Sequence, residues 1–147
     1  MSDSDLVNLY SGRILALAAA IPHLGRLARA DGAASRRSPL CGSTLSVELC
    51  TTDGRISEFA QEVRACALGQ ASAAILGGVV IGRSLDELEH ARAQLVAMLA
   101  GGPVPDAPFD GYEALVPARD YRNRHASILL ALEATCAAMA MATGKDP

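Results

Sequence analysis

The stretch from Cys41 to Cys66, CGSTLSVELCTTDGRISEFAQEVRAC, decides the fold. Leu45, Val47 and Leu49 alternate with Ser46 and Glu48, the period-2 pattern that puts three apolar side chains on one buried strand face and turns Cys50 the other way. Asp53-Gly54 follows as a hairpin-turn dipeptide. The return strand, Ile56 to Val63, alternates less regularly: Phe59 and Val63 reach the buried face only if the pairing slips by one residue, as a bulged three-residue turn would allow. Cys41 and Cys66 lie almost symmetrically about Asp53-Gly54, so either register returns both thiols to one end of the sheet. Two convergent thiols on rigid strands are the beginning of a metal or sulfur-handling centre in a reducing compartment.

Working outward, Asp5 to Ala20 carries Leu6, Leu9, Ile14 and Leu17 at helical spacing behind an acidic first turn, and Pro22 ends it. Gly25 to Pro39 reads as a loop with a short edge strand over Ala33–Arg37, and Arg26, Arg29, Arg36 and Arg37 read as a solvated surface. On the far side of the hairpin, Ala67 to Ile81 is apolar all round, the mark of a buried helix, with Gly82 as its end. Cys66 opens that helix, where unpaired amides and the positive end of the dipole favour an anionic sulfur. Ser84 and Glu87 form a capping box for a helix bearing Leu85, Leu88, Leu95 and Leu99, which Gly101-Gly102 ends. Pro103, Pro105 and Pro108 make a linker; Asp120 then caps a last helix through Ile128, Leu132 and Met139, with His125 in its second turn. The expected fold is α+β: a small antiparallel sheet of two or three strands with helices packed mainly on one face, in one domain over residues 1–147.

Composition closes several function classes. The 147 residues are 50% apolar with a mean hydropathy of +0.22, enough for one well-filled core. A formal net charge of -3, a pI near 5.5 and 3% aromatic residues supply neither a basic footprint nor stacking groups, so nucleic acid is not an expected partner. Ile14 to Ile21 is too short to span a bilayer and follows Asp3 and Asp5 rather than a basic segment. We therefore expect a soluble, cytoplasmic chain with no membrane partner. Cysteines 41, 50, 66 and 136 are irregularly spaced, which favours reduced thiols, with a Cys41–Cys66 disulfide as the alternative.

Several segments resemble the U-type iron–sulfur cluster assembly proteins, the group of IscU, SufU and the amino-terminal part of NifU. They are Leu40-Cys41-Gly42-Ser43, the hairpin about Asp53-Gly54, and the run CALGQASA from Cys66 to Ala73. Asp5 to Tyr10 is similar to that family's entry helix, and Gly82 to Glu87 to the opening of its next helix. The segment from Gly101 to Leu115 looks more like the SufU branch. The family's site has three cysteines plus an aspartate two positions after the first. The resemblance matches Cys41 and Cys66 to the first two cysteines and puts Ser43 in the aspartate's place. A SufU-like match places His125 at the third cysteine; an IscU-like match places Ala126 there and leaves His125 beside it.

The resemblance thus implies a metal site of Cys41, Cys66 and His125. Two thiolates and an imidazole suit zinc and leave a fourth position open. An iron–sulfur cluster, which normally takes four protein ligands, would be labile or completed by another chain, so zinc is favoured slightly in an isolated preparation. Gly42 would let the backbone approach the metal. Cys50 and Cys136 read as packing residues, His23 and His90 as surface residues, and Arg119, Arg122 and Arg124 as a solvated face or an anion-steering one. The implied function is a scaffold or accessory in iron–sulfur cluster assembly, a non-enzymatic carrier served by a cysteine desulfurase and serving acceptor apoproteins; a homo-oligomer remains open. The alternatives are zinc-dependent persulfide transfer, which would be sulfurtransferase-like, and a degenerate protein-binding module held together by metal. The chain lacks the Leu-Pro-Pro-Val-Lys motif of IscU-type scaffolds, so no dedicated chaperone is implied.

Overall fold

The computed structural model describes residues 11–39 and 42–144. Three antiparallel strands, β1 (Gly32–Arg37), β2 (Thr44–Thr52) and β3 (Arg55–Arg64), form a sheet in the order β1-β2-β3. Helices α1 (Gly12–Ala19), α2 (Ala67–Gly77), α3 (Leu85–Leu99) and α4 (Arg122–Thr143) complete the α+β architecture, with a 3₁₀ segment over Asp110–Asp120.

The hairpin forms where its sequence places it, and the irregularity does not. Asp53 and Gly54 both take positive φ, 54° and 75°, in a two-residue connection between Thr52 and Arg55. This is the turn geometry whose twist matches the flanking strands. The slip expected at the turn is instead a bulge inside the return strand. Cys50 pairs with Glu58 while Thr51 pairs with Ile56, so Ser57 is the extra residue, and its hydroxyl donates to the Cys50 carbonyl at 3.2 Å. The bulge brings Ile56 and Phe59, three residues apart, to the same buried side as Leu45, Val47 and Leu49. The outer edge of β3 is covered by the preceding loop. Gln61 receives a bond from Gly25 N–H and gives one to the His23 carbonyl, while its side-chain amide donates to the carbonyls of Pro22 at 3.0 Å and Ala73 at 3.2 Å.

Helix α4 is the centre of the molecule. It packs against β1, β2, α2 and α3. By length and composition it could cross a bilayer, but Ile128, Leu132 and Met139 are fully buried among these neighbours, so it serves as a core helix. The approach to β1 is very close: a Cβ on Gly32 would lie 2.1 Å from the Ala138 carbonyl oxygen. Only glycine fits there. The opposite face of the sheet keeps Ala33, Ser35 and Glu62 exposed, as expected for helices on one face.

Several boundaries differ from expectation. Helix α1 begins at Gly12 with Ser11 as its cap; Asp3, Asp5, Leu6 and Leu9 lie outside the described residues. Helix α2 stops at Gly77, short of Ile81, because Gly77-Gly78 is a poor helix former. Gly82, at φ +89°, instead turns the chain so that its N–H reaches the Ile56 carbonyl at 2.8 Å. Past the prolines, the 3₁₀ segment buries Tyr112 and Leu115, in a stretch to which the sequence pattern assigns no element. Asp120 ends that segment and is exposed, so Tyr121 rather than Asp120 occupies the cap position of α4, and its side chain does not cap the helix amides. Arg119 is part-buried: its Nε donates to the Met98 carbonyl at 2.8 Å, and its guanidinium also bonds the Gly102 carbonyl, tying off the end of α3.

The capping box at Ser84 and Glu87 is present and is also an ion-pair node. Glu87 N–H donates to Ser84 Oγ at 3.2 Å, and the Glu87 carboxylate receives Arg55 and Arg83, each at 2.8 Å. Burial pushes the Glu87 carboxyl up, but the Ser84 N–H and the two guanidinium groups outweigh it and hold the group below its ordinary value of 4.5. The stability it contributes is therefore complete above that value and is lost as pH falls through the depressed one. We predict that Glu87→Gln lowers unfolding stability by about 1 kcal/mol at neutral pH and that the gap closes at an acid pH below the depressed carboxyl value. Urea midpoints at the two pH values check this; an equal gap at both would contradict it.

Candidate functional site

Of the candidate residues that the structure describes, Ser43 and Cys66 stand at the end of the sheet opposite the hairpin turn. Thr44 pairs with Arg64, and beyond that pair the β1–β2 connection closes through Ser38 N–H to the Ser43 carbonyl at 2.8 Å and Gly42 N–H to the Ser38 carbonyl at 2.9 Å. Gly42 takes φ +71° with nothing within 4 Å of where a Cβ would stand, so the turn's backbone conformation, and no close approach, calls for glycine there. Cys41 lies in this connection and outside the described residues.

Cys66 sits where β3 gives way to α2. It occupies the cap position with extended backbone, φ -66° and ψ 169°, and its side chain makes no capping bond to the helix amides. The thiol is free, half-buried, and 3.5 Å from the Ser127 hydroxyl of α4. The Ser127 hydroxyl in turn donates to Ser43 Oγ at 2.9 Å, from a position 1% exposed to one 4% exposed. Residues from the β1–β2 connection, the start of α2 and the second turn of α4 are thereby joined in one hydrogen-bonded row, Cys66–Ser127–Ser43. Room for it depends on Gly69, since a Cβ there would stand 2.7 Å from Ser127 Oγ and 2.8 Å from Ala65 Cβ. One turn further, the Ser72 hydroxyl donates to the Ile128 carbonyl and fixes α2 against α4.

His125 is placed differently. Its Nε2 lies 3.0 Å from both the Ala118 and Arg119 carbonyl oxygens. It faces a cleft of about 570 Å³ lined by Val96, Leu99, Arg119, Asp120, Arg122 and Leu129. Two residues along a helix are separated by about 200°, so with Ser127 turned to Cys66, His125 points to the other side of α4. Among the described residues no three His, Cys, Asp or Glu side chains converge as a metal site.

The remaining thiols are less suited to chemistry. Cys136 is buried in α4, and burial pushes its thiol up to about 11. Cys50 donates to the Arg29 carbonyl at 3.2 Å, and burial followed by the nearby Asp31 and Glu58 carboxylates raises it above its ordinary value. His23 packs edge-on against Phe59 at 5.9 Å between ring centroids, and exposed His90 lies 3.8 Å from Asp106. Ser127 is the site residue that sequence reasoning missed. Its signal is a hydroxyl in line with Ala131, Ala134 and Ala138 on the buried face of α4.

No protein-family model and no curated protein matches the chain. Solved structures do. The amino-terminal part of a nitrogen-fixing NifU-like protein from Brucella abortus is 40% identical, with a TM-score of 0.92 over 97% of this chain and 99% of that one. A candidate iron–sulfur cluster assembly scaffold protein for the SUF system, from Fervidobacterium islandicum AW-1, is 18% identical with a TM-score of 0.80 over 90% of this chain and 98% of that one, a likeness of fold.

We predict that Gly69→Ala separates the start of α2 from α4, costing about 1–3 kcal/mol of stability. Alkylation of Cys66 should quicken as the Ser127 contact opens. Urea denaturation and thiol-labelling rates at Cys66 check both effects, and an unchanged labelling rate in a folded variant would contradict the account.

Proposed function

Since the chain belongs to the NifU-like, U-type family, we propose that it acts as a scaffold or accessory in iron–sulfur cluster assembly, with Cys41 and Cys66 holding the metal or sulfur cargo. The observation that carries this reading is the setting of Cys66: a free, half-buried thiol at a helix start, joined through the Ser127 hydroxyl to Ser43, which stands two residues from Cys41 in the chain. Thiolates are the donors that iron–sulfur clusters and zinc prefer. Zinc is the expected occupant of an isolated preparation, and a cluster the expected cargo under anaerobic assembly. His125, the third donor implied by the family's pattern, would join the thiols only by leaving its two carbonyl contacts.

The accessibility of Cys66 also supports sulfur acceptance from a cysteine desulfurase. In that step the Cys66 thiolate attacks the outer sulfur of the donor's persulfide; a new S–S bond forms on Cys66 and the donor leaves as a thiolate. The carrier would work in the cytoplasm and pass its cargo to acceptor apoproteins.

Anaerobic purification followed by metal analysis and visible absorption tests the reading. Wild type should retain zinc, or iron with sulfur-to-iron charge-transfer bands, and Cys41→Ala and Cys66→Ala should each lose most of it. Retention in both variants equal to wild type would contradict the assignment of cargo to these thiols.

A further inference from the structure

The geometry assigns Ser127, and not His125, to the position facing the Cys66 thiol, so that cargo held on this thiol meets a wall of two hydroxyls. The assignment rests on the cluster-assembly reading above and says how its site is completed. Ser127 Oγ lies 3.5 Å from Cys66 Sγ and 2.9 Å from Ser43 Oγ. Both serines are almost wholly buried. Hydroxyls are costly to bury unless bonded, and these two bond each other beside the Cys66 thiol. The gap into which Ser127 projects is kept open by the missing side chain of Gly69, 2.7 Å from Ser127 Oγ to the position of a Cβ. His125, by contrast, has its Nε2 taken up by the carbonyl oxygens of Ala118 and Arg119 on the other side of α4.

The chemical consequence follows from the donor types. A neutral hydroxyl is a poor ligand for a soft metal, but it donates a hydrogen bond to a coordinated thiolate or to a sulfide. Among the described residues no second soft donor adjoins Cys66, so that with Cys41 supplied by the cluster-assembly reading the remaining positions on zinc or on a cluster fall to ligands from outside, a free thiol or an acceptor's cysteine. Cargo held in this way is readily surrendered.

Cobalt(II) is the probe, because it takes zinc's tetrahedral geometry and reports bound thiolates through a sulfur-to-metal charge-transfer band. Wild type should give a band that Cys66→Ala diminishes. Ser127→Cys should raise its intensity about 1.5-fold, as two thiolates become three, and His125→Ala should leave it unchanged. A second readout needs no metal: in a Cys41→Ala background, diamide should link Cys66 to the thiol introduced by Ser127→Cys, as peptide mapping would detect. Ser43→Cys carries the same two readouts should Ser127→Cys fail to fold. An unraised band in the folded variant, loss of the band in His125→Ala, or failure of the diamide link would overturn the assignment. A wild type without any Cys66-dependent band would overturn the cluster-assembly reading, while the link still decides where residue 127 points.

Discussion

The close approach of α4 to its neighbours is the constraint on which the rest of the molecule depends. At Gly32 the edge strand comes so close to the helix that a Cβ would stand 2.1 Å from the Ala138 carbonyl oxygen, and at Gly69 the start of α2 leaves space only for the Ser127 hydroxyl. Neither contact survives a side chain larger than hydrogen without movement of backbone. Because α4 touches both the sheet and α2, the two contacts together fix the angle at which α2 leaves β3. That angle decides where Cys66 points.

The site inherits its chemistry from this packing. A thiol at the head of a helix is commonly used to cap amides or is sealed in apolar surroundings; here it does neither, and it lies against a hydroxyl on a helix that cannot shift without disturbing the core. The same rigidity separates His125 from Cys66, since His125 and Ser127 cannot face the same point. Iron–sulfur handling asks for soft donors held firmly and cargo held weakly. On the proposed function, Cys41 and Cys66 backed by neutral hydroxyls would meet both requirements, whereas a closed set of four protein ligands would meet only the first.

Local signals in the sequence carried much of this. The alternation of Leu45, Val47 and Leu49, the Asp53-Gly54 turn, the Ser84–Glu87 capping box and the start of α2 at Cys66 all depend on residues near one another in the chain, and each is found where its pattern puts it. What was not legible depends on distant partners. The bulge at Ser57 reconciles Ile56 and Phe59 with a core built by α4; Asp120 is withdrawn from capping because the 3₁₀ segment continues through it; and Arg119 leaves solvent to bond carbonyls at the end of α3. The direction of His125 belongs to the same group. A family pattern can place a residue within one position along a helix, but a single position turns the side chain by about 100°.

The central claim is that the thiol end of this fold carries cluster cargo for delivery. Its most direct test is transfer from the anaerobically reconstituted chain to an apo-acceptor of the [2Fe–2S] type, followed by the circular dichroism of the acceptor's cluster. The account predicts that the acceptor signal develops with wild type and is lost with Cys66→Ala. Equal transfer from both, or a wild-type cluster that stays on the chain, would contradict it.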